Sequence, residues 1–194
     1  QDMFAVNQWP SAEHWFGTDS LGRDLFVRCW SGAQVSLFIA FVSTMVNVLI
    51  GIVYGGISGY FGGRVDMVMM RLVEIIYSVP DLLWVILLMV VMGPGLHTII
   101  IAISITGWGS MARIVRGQVL QLKQSEYVMA ARTLGVPDRT LIFRHILPNC
   151  VGPLITRAMI AVPGAIFSES FLAYIGLGIA PPEPSIGILL SNGQ

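Results

Sequence analysis

The residues able to do chemistry in this chain are few, and their spacing excludes most enzyme classes. The 3 histidines, His14, His97 and His145, are separated by long apolar runs and cannot share one metal site within a chain. No His-Glu-x-x-His, Gly-x-Ser-x-Gly or Cys-x-x-Cys occurs. We therefore expect no catalytic residue and no metal site. Lys123 is the sole lysine, and no Gly-rich loop ending in Gly-Lys-Ser/Thr precedes it, so any ATP chemistry must come from a partner. Cys29 and Cys150 sit at the edges of apolar runs and read as small buried residues rather than a disulfide framework. Net charge is zero with no dense basic tract, which leaves no electrostatic footprint for nucleic acid. Arg157 and Glu169 lie inside one apolar segment, about 18 Å apart along a helix, too far to pair with each other. Either they are interface residues, or they contribute polarity to a translocation path; Glu169 is the path candidate.

The most informative residues lie between the apolar segments. Ser125-Glu126-Tyr127-Val128-Met129-Ala130-Ala131-Arg132-Thr133-Leu134-Gly135 reads as a short helix capped by Ser125, with Glu126 at its favourable N-terminal end and Gly135 as a left-handed terminator. Pro137 and Asp138 open a second short helix expected to stop near Pro148. Tyr127, Ala130, Ala131 and Leu134 share one face of the first helix. That face is dominated by small side chains, poor at entering lipid and suited to docking in a protein groove.

The elements that position these residues must be membrane helices. Hydrophobic residues make up 55% and charged residues 11% of 194, too little charge to cover a soluble globule. Cys29 to Gly63 runs 35 residues without a charge, beyond the roughly 20 that cross a bilayer. Spans are expected at about 33–59, 65–92, 96–115 and 150–175, with Gly93-Pro94-Gly95 turning between the second and third. Arg71 and Glu74 can pair at i,i+3, and Ser78 with Asp81 around Pro80 suggests a capping box and a kink. Gly51, Gly55 and Gly59 leave one face of the first span as bare backbone for another helix to approach. The stretch 113–149 carries six basic residues against two acidic, which by the positive-inside rule makes the insert 116–148 cytoplasmic and residues 1–30 external. An external start without signal or earlier span suggests a longer chain with a helix upstream.

With these residues in hand, the chain resembles the permease subunit of binding-protein-dependent ABC importers. The family signature, Glu-Ala-Ala, three residues, Gly, nine residues, Ile-x-Leu-Pro, is matched by Ala130, Ala131, Gly135, Leu147 and Pro148; Met129 stands for the Glu and His145 for the Ile. Phe16–Asp24, Gly59–Gly63, Phe143–Asn149 and Gly176-Leu177-Gly178 before Pro181-Pro182 are similar to the oligopeptide, dipeptide and nickel branch. The resemblance implies an all-α polytopic bundle of the type I importer permease fold, one permease domain over 1–194 with a further helix on either side. It implies a prokaryotic inner-membrane subunit for oligopeptides or dipeptides, with nickel as the alternative. Two ATPase subunits, which bind ATP and Mg, would dock at Glu126, Tyr127, Ala130, Ala131, Leu134, Gly135 and Pro148. A second permease and an extracytoplasmic binding protein would complete the assembly, with no cofactor in this chain.

Overall fold

The computed structural model describes residues 6–179 and 184–192, and among them the regular elements are all helical, with an isolated bridge between Thr18 and Asp24 in the irregular segment before the first helix. The elements are α1 (Leu25–Phe61), α2 (Gly63–Ser78), α3 (Asp81–Met92), α4 (Leu96–Lys123), α5 (Glu126–Thr133), α6 (Asp138–Thr140), α7 (Val151–Tyr174) and α8 (Ile186–Asn192); a π turn (Leu141–Ile146) and a 3-10 turn (Leu147–Cys150) join α6 to α7. Three stretches are long and apolar enough to cross a bilayer, Leu25–Phe61, Leu96–Lys123 and Asp138–Tyr174, and the bent pair α2–α3 makes a fourth if taken as one span.

The core is the parallel pair α1 and α4. An added Cβ at Gly51 would lie 2.6 Å from Met111, at Gly55 2.8 Å from the Val115 side chain and 2.3 Å from the Ala112 carbonyl, and at Gly59 2.9 Å from Val119. The same register continues at Ile39 and Ile99, both fully buried. Missing side chains thus let two backbones meet, the arrangement that membrane helices use where hydrophobic burial supplies no drive. α7 packs on α1, and α3 packs on α4. α2 buries only Val73.

Helix bounds differ from the sequence expectation for identifiable reasons. α1 begins at Leu25 because Asp24 caps it, accepting from the Val27 amide at 3.1 Å, and because Arg28 is neutralised by Asp19 at 2.6 Å. α4 runs on to Lys123: Arg113 lies over the Tyr77 ring at 4.5 Å and Arg116 pairs with Asp66, so neither charge ends the helix. The stretch 65–92 is not one kinked helix but two, bent by 79°. Pro80 occupies the cap position of α3, and the Ser78 hydroxyl donates back to the Ile75 carbonyl at 2.7 Å, so the expected capping box does not form. Arg71 and Glu74 do pair, at 2.8 Å on an exposed surface. The helix opened by Asp138 does not stop at Pro148. Proline lacks the amide that would continue the ladder, and the change from a wide π turn to a tight 3-10 turn carries the chain past it into α7.

Candidate functional site

Two regions gather the functional candidates: the insert at one end of the bundle, and a cavity between α3, α4 and α7. In the insert, Ser125 stands at the cap of α5, but its hydroxyl donates to the Leu122 carbonyl at 2.5 Å instead of capping. The Ser125 carbonyl accepts from Val128 and Met129. The far end of α5 closes as a Schellman motif: Gly135 has φ +79°, its amide donates to Arg132 at 3.0 Å, and the Val136 amide donates to Ala131 at 3.2 Å. Val128 anchors the helix, buried in a core with Val119, Leu141, Ile146 and Cys150.

That anchor divides the face expected from sequence. Tyr127, Ala130 and Leu134 point outward, Leu134 being 84% exposed, and Glu126, Gly135 and Pro148 are exposed beside them. Ala131 instead leans onto the core around Val128, because of the four it lies nearest Val128 around the helix. Below α5, the π-to-3-10 change frees the His145 carbonyl, which accepts from Asn149 Nδ2 at 2.5 Å and from the Tyr127 hydroxyl at 3.5 Å.

Sequence reasoning missed what ties the insert to the spans. Tyr60, in the last turn of α1, is 3% exposed. Its hydroxyl donates to Asp138 Oδ1 and accepts from Arg132 Nη2 at 3.2 Å, while Arg132 and Asp138 also pair at 3.6 Å. Lys123 Nζ donates to the Tyr60 carbonyl at 2.5 Å, a cation at the C-terminal end of α1, where it is favoured. Beside this latch, Asp66 of α2 accepts from Arg116 Nη2 of α4 and from the Ser58 hydroxyl of α1, both at 2.5 Å. The ends of α1, α2, α4, α5 and α6 are thereby joined. The only sequence signal was an aromatic residue one turn before Gly62-Gly63.

The structure puts Glu169 elsewhere than the sequence reading did. It is fully buried, accepting from the Ser36 hydroxyl of α1 at 2.7 Å, and is absent from the cavity walls. The periodicity of α7 explains this: Ala165, Glu169 and Leu172 fall on its buried stripe. Arg157, Ala161, Gly164 and Ser168 fall on the adjoining face and, with Ala165 at its edge, line a cavity of about 480 Å³ together with Thr44, Asn47, Tyr77, Asp81, Thr106 and Ser110. Arg157 Nη2 donates to Ser110 Oγ at 3.4 Å. Asp81, Ile103, Thr106 and Ser168 also border a second space of about 210 Å³ whose other walls include Leu82, Val85, Phe167, Phe171 and Leu172, so a polar and an apolar compartment adjoin. Among the described residues no group of three or more His, Cys, Asp or Glu side chains is placed to hold a metal ion.

At the opposite end, residues 6–24 fold onto the start of α1. Asp19 accepts from the amides of Leu21 and Arg23 and from the guanidinium groups of Arg23 and Arg28. Burial works against its charge, but these bonds outweigh it and hold the carboxyl down at about 2. His14 Nδ1 lies 2.8 Å from Asp24, whose carboxyl is lowered by that bond and by the Val27 amide.

With this geometry in place, comparison with known proteins is informative. The dipeptide transport system permease protein DppC of Bacillus subtilis is 53% identical over 100% of this chain and 60% of its own length. The oligopeptide transport system permease protein OppC of the same organism is 55% identical over 99% of this chain and 63% of its own. This chain thus spans less than two thirds of either relative. A crystal structure of an amino acid ABC transporter shares the fold, with a TM-score of 0.60 at 18% identity over 79% of this chain and 75% of that one. Residues 47–194, which include the glycine ridge, the latch, the insert and every cavity-lining residue named above except Thr44, match the binding-protein-dependent transport system inner membrane component family, and the chain belongs to it.

Proposed function

We propose that this chain is the core of a pore-forming subunit of an ATP-driven importer in a prokaryotic inner membrane, carrying oligopeptides or dipeptides. The observation that carries the reading is the exposed, Schellman-terminated helix α5, held by Val128 and the Tyr60 latch against the ends of the long helices. Such an arrangement suits a handle by which another protein moves the spans. Two ATPase subunits, binding ATP and Mg, would grip the Glu126, Tyr127, Ala130, Leu134, Gly135 and Pro148 surface at the cytoplasmic face. Closing of the ATPases would displace α5, and the latch would pass the displacement to α1, α2 and α4. A second, similar permease would complete the pore, and an extracytoplasmic binding protein would deliver substrate to the other side. The chain itself makes and breaks no bond and carries no cofactor. The relatives named for dipeptide and oligopeptide transport support peptide over nickel.

Reconstitution of the full-length protein with its partner subunits in proteoliposomes tests the reading. ATP-dependent accumulation of a labelled dipeptide, and none of radioactive nickel, is the expected result. Nickel uptake without peptide uptake would overturn the choice of substrate. Uptake that persists with the ATPase subunits omitted would overturn the mechanism.

A further inference from the structure

We propose that the cavity between α3, α4 and α7 is a peptide subsite in which Arg157 holds the α-carboxylate, Asp81 the α-ammonium and Asn47 a main-chain amide. The proposal rests on the peptide-import reading and deepens it. Charged side chains within membrane-spanning helices are costly and usually face protein or a water-filled path. Arg157 and Asp81 both line the 480 Å³ cavity, and among the described residues neither belongs to an ion pair. Their one polar tie is the long contact from Arg157 to Ser110. Two opposite charges lining one cavity from different helices, and not paired with each other, match a ligand that carries both charges itself.

A second observation points the same way. Asn47 lines the cavity at 8% exposure, and its Oδ1 has no hydrogen-bond partner. A Cβ at Gly107 would lie 2.2 Å from Asn47 Nδ2, so Gly107 makes room for the amide and holds it against α4. An acceptor buried in this way lacks a donor, and rotation of the amide toward the cavity that Asn47 lines would let a peptide N–H supply it. The adjoining compartment, walled by Leu82, Val85, Phe167, Phe171 and Leu172, offers an apolar space for a side chain next to these polar groups. A cavity of this size is within the range of about 300–1,000 Å³ in which small ligands are held. Anion, cation, amide and apolar contacts together describe a short peptide with free ends. They do not describe a metal ion or a sugar.

The test uses the full-length protein in the complete transporter, reconstituted with one fixed binding protein so that its preferences cancel. Uptake of Leu-Phe is compared with that of its C-terminal amide and of its N-acetyl derivative. Relative to wild type, Arg157→Gln should lower the preference for the free carboxylate about tenfold and leave the preference for the free amine unchanged. Asp81→Asn should do the reverse. Arg157→Lys and Asp81→Glu, which keep the charges, should restore much of each preference, and the transporter subunits should copurify throughout. If Arg157→Gln does not assemble, Ser110→Ala carries the carboxylate arm and should lower the same preference. Unchanged preferences, or equal loss of both in each variant, would overturn the assignment while the import reading stands. A wild-type complex that moves none of the three peptides would instead remove the reading itself.

Discussion

Tyr60 gathers three hydrogen bonds from three other elements around one buried side chain, and only part of that depends on its hydroxyl. Tyr60→Phe keeps the ring, the Lys123 bond to the carbonyl and the apolar packing, but loses the bonds to Asp138 and from Arg132. A loss of roughly 1 kcal/mol in stability is expected, small enough for assembly to survive. The sharper readout is coupling: peptide transported per ATP hydrolysed should fall, while maximal ATPase activity should not. An unchanged ratio would mean that the latch is structural only. At the other end of the molecule, Asp19 gives a pH prediction with a definite sign. Its folded value is about 2 against 3.8 for the free group, so its contribution is complete above about pH 4 and disappears as pH falls through 2. The protection factors of amides in residues 6–24, taken relative to intrinsic exchange at each pH, should therefore fall below about pH 4, and Asp19→Asn should show the lower protection already at neutral pH.

At the scale of elements, α5 shows how one partly buried helix limits what can be substituted. Ala130→Trp should abolish copurification of the ATPase subunits and leave the melting temperature near wild type, since Ala130 faces outward. Ala131→Trp should lower both, because the indole would be driven into the core around Val128. Equal thermal stability of the two variants would show the face to be oriented otherwise. The glycine ridge gives a similar pair. Gly55→Ala places a methyl group 2.3 Å from a carbonyl oxygen and should cost about 1–3 kcal/mol in thermal unfolding, whereas Gly56→Ala meets only Leu147 at 3.6 Å and should be nearly neutral. Much of this scale was legible in the sequence. The four-residue glycine spacing announced a close helix contact, and Gly135 before Pro137 announced a left-handed stop. The 79° break was not, since Pro80 signals a disturbance but its size is set by what α2 and α3 each pack against. Pro148 misled, because a local breaker was absorbed by neighbouring turns of other pitch. Tyr60 was illegible for a different reason: its partners are 72 and 78 residues away, and no local pattern encodes them.

For the whole molecule, the stripe periodicity of α7 corrects the placement of charge. As an isolated apolar segment it offered Glu169 as the residue of a path. As a helix packed on α1 with a cavity along the adjoining face, it assigns Glu169 to the packed face and Arg157 to the cavity. The aromatic residues at the end opposite the insert fit a membrane boundary in the same way: Trp15 and Phe16 stack on Phe26 at 5.0 and 5.4 Å, and Trp30 is exposed.

The backbone contact between α1 and α4 has a further consequence, for measurement. Side-chain interfaces can slip by changing rotamers, but a Cα face set against a carbonyl has no rotamers to change, so this pair serves as a fixed ruler inside a moving machine. Spin labels at Val53→Cys and Gln121→Cys, both on exposed positions of that pair, should report one distance in nucleotide-free, ATP-bound and vanadate-trapped transporter. Labels at Val90→Cys on α3 and Met159→Cys on α7, both exposed positions, should report a distance that shifts between those states. If the α1–α4 distance changes as much as the α3–α7 distance, the two helices do not travel as one body.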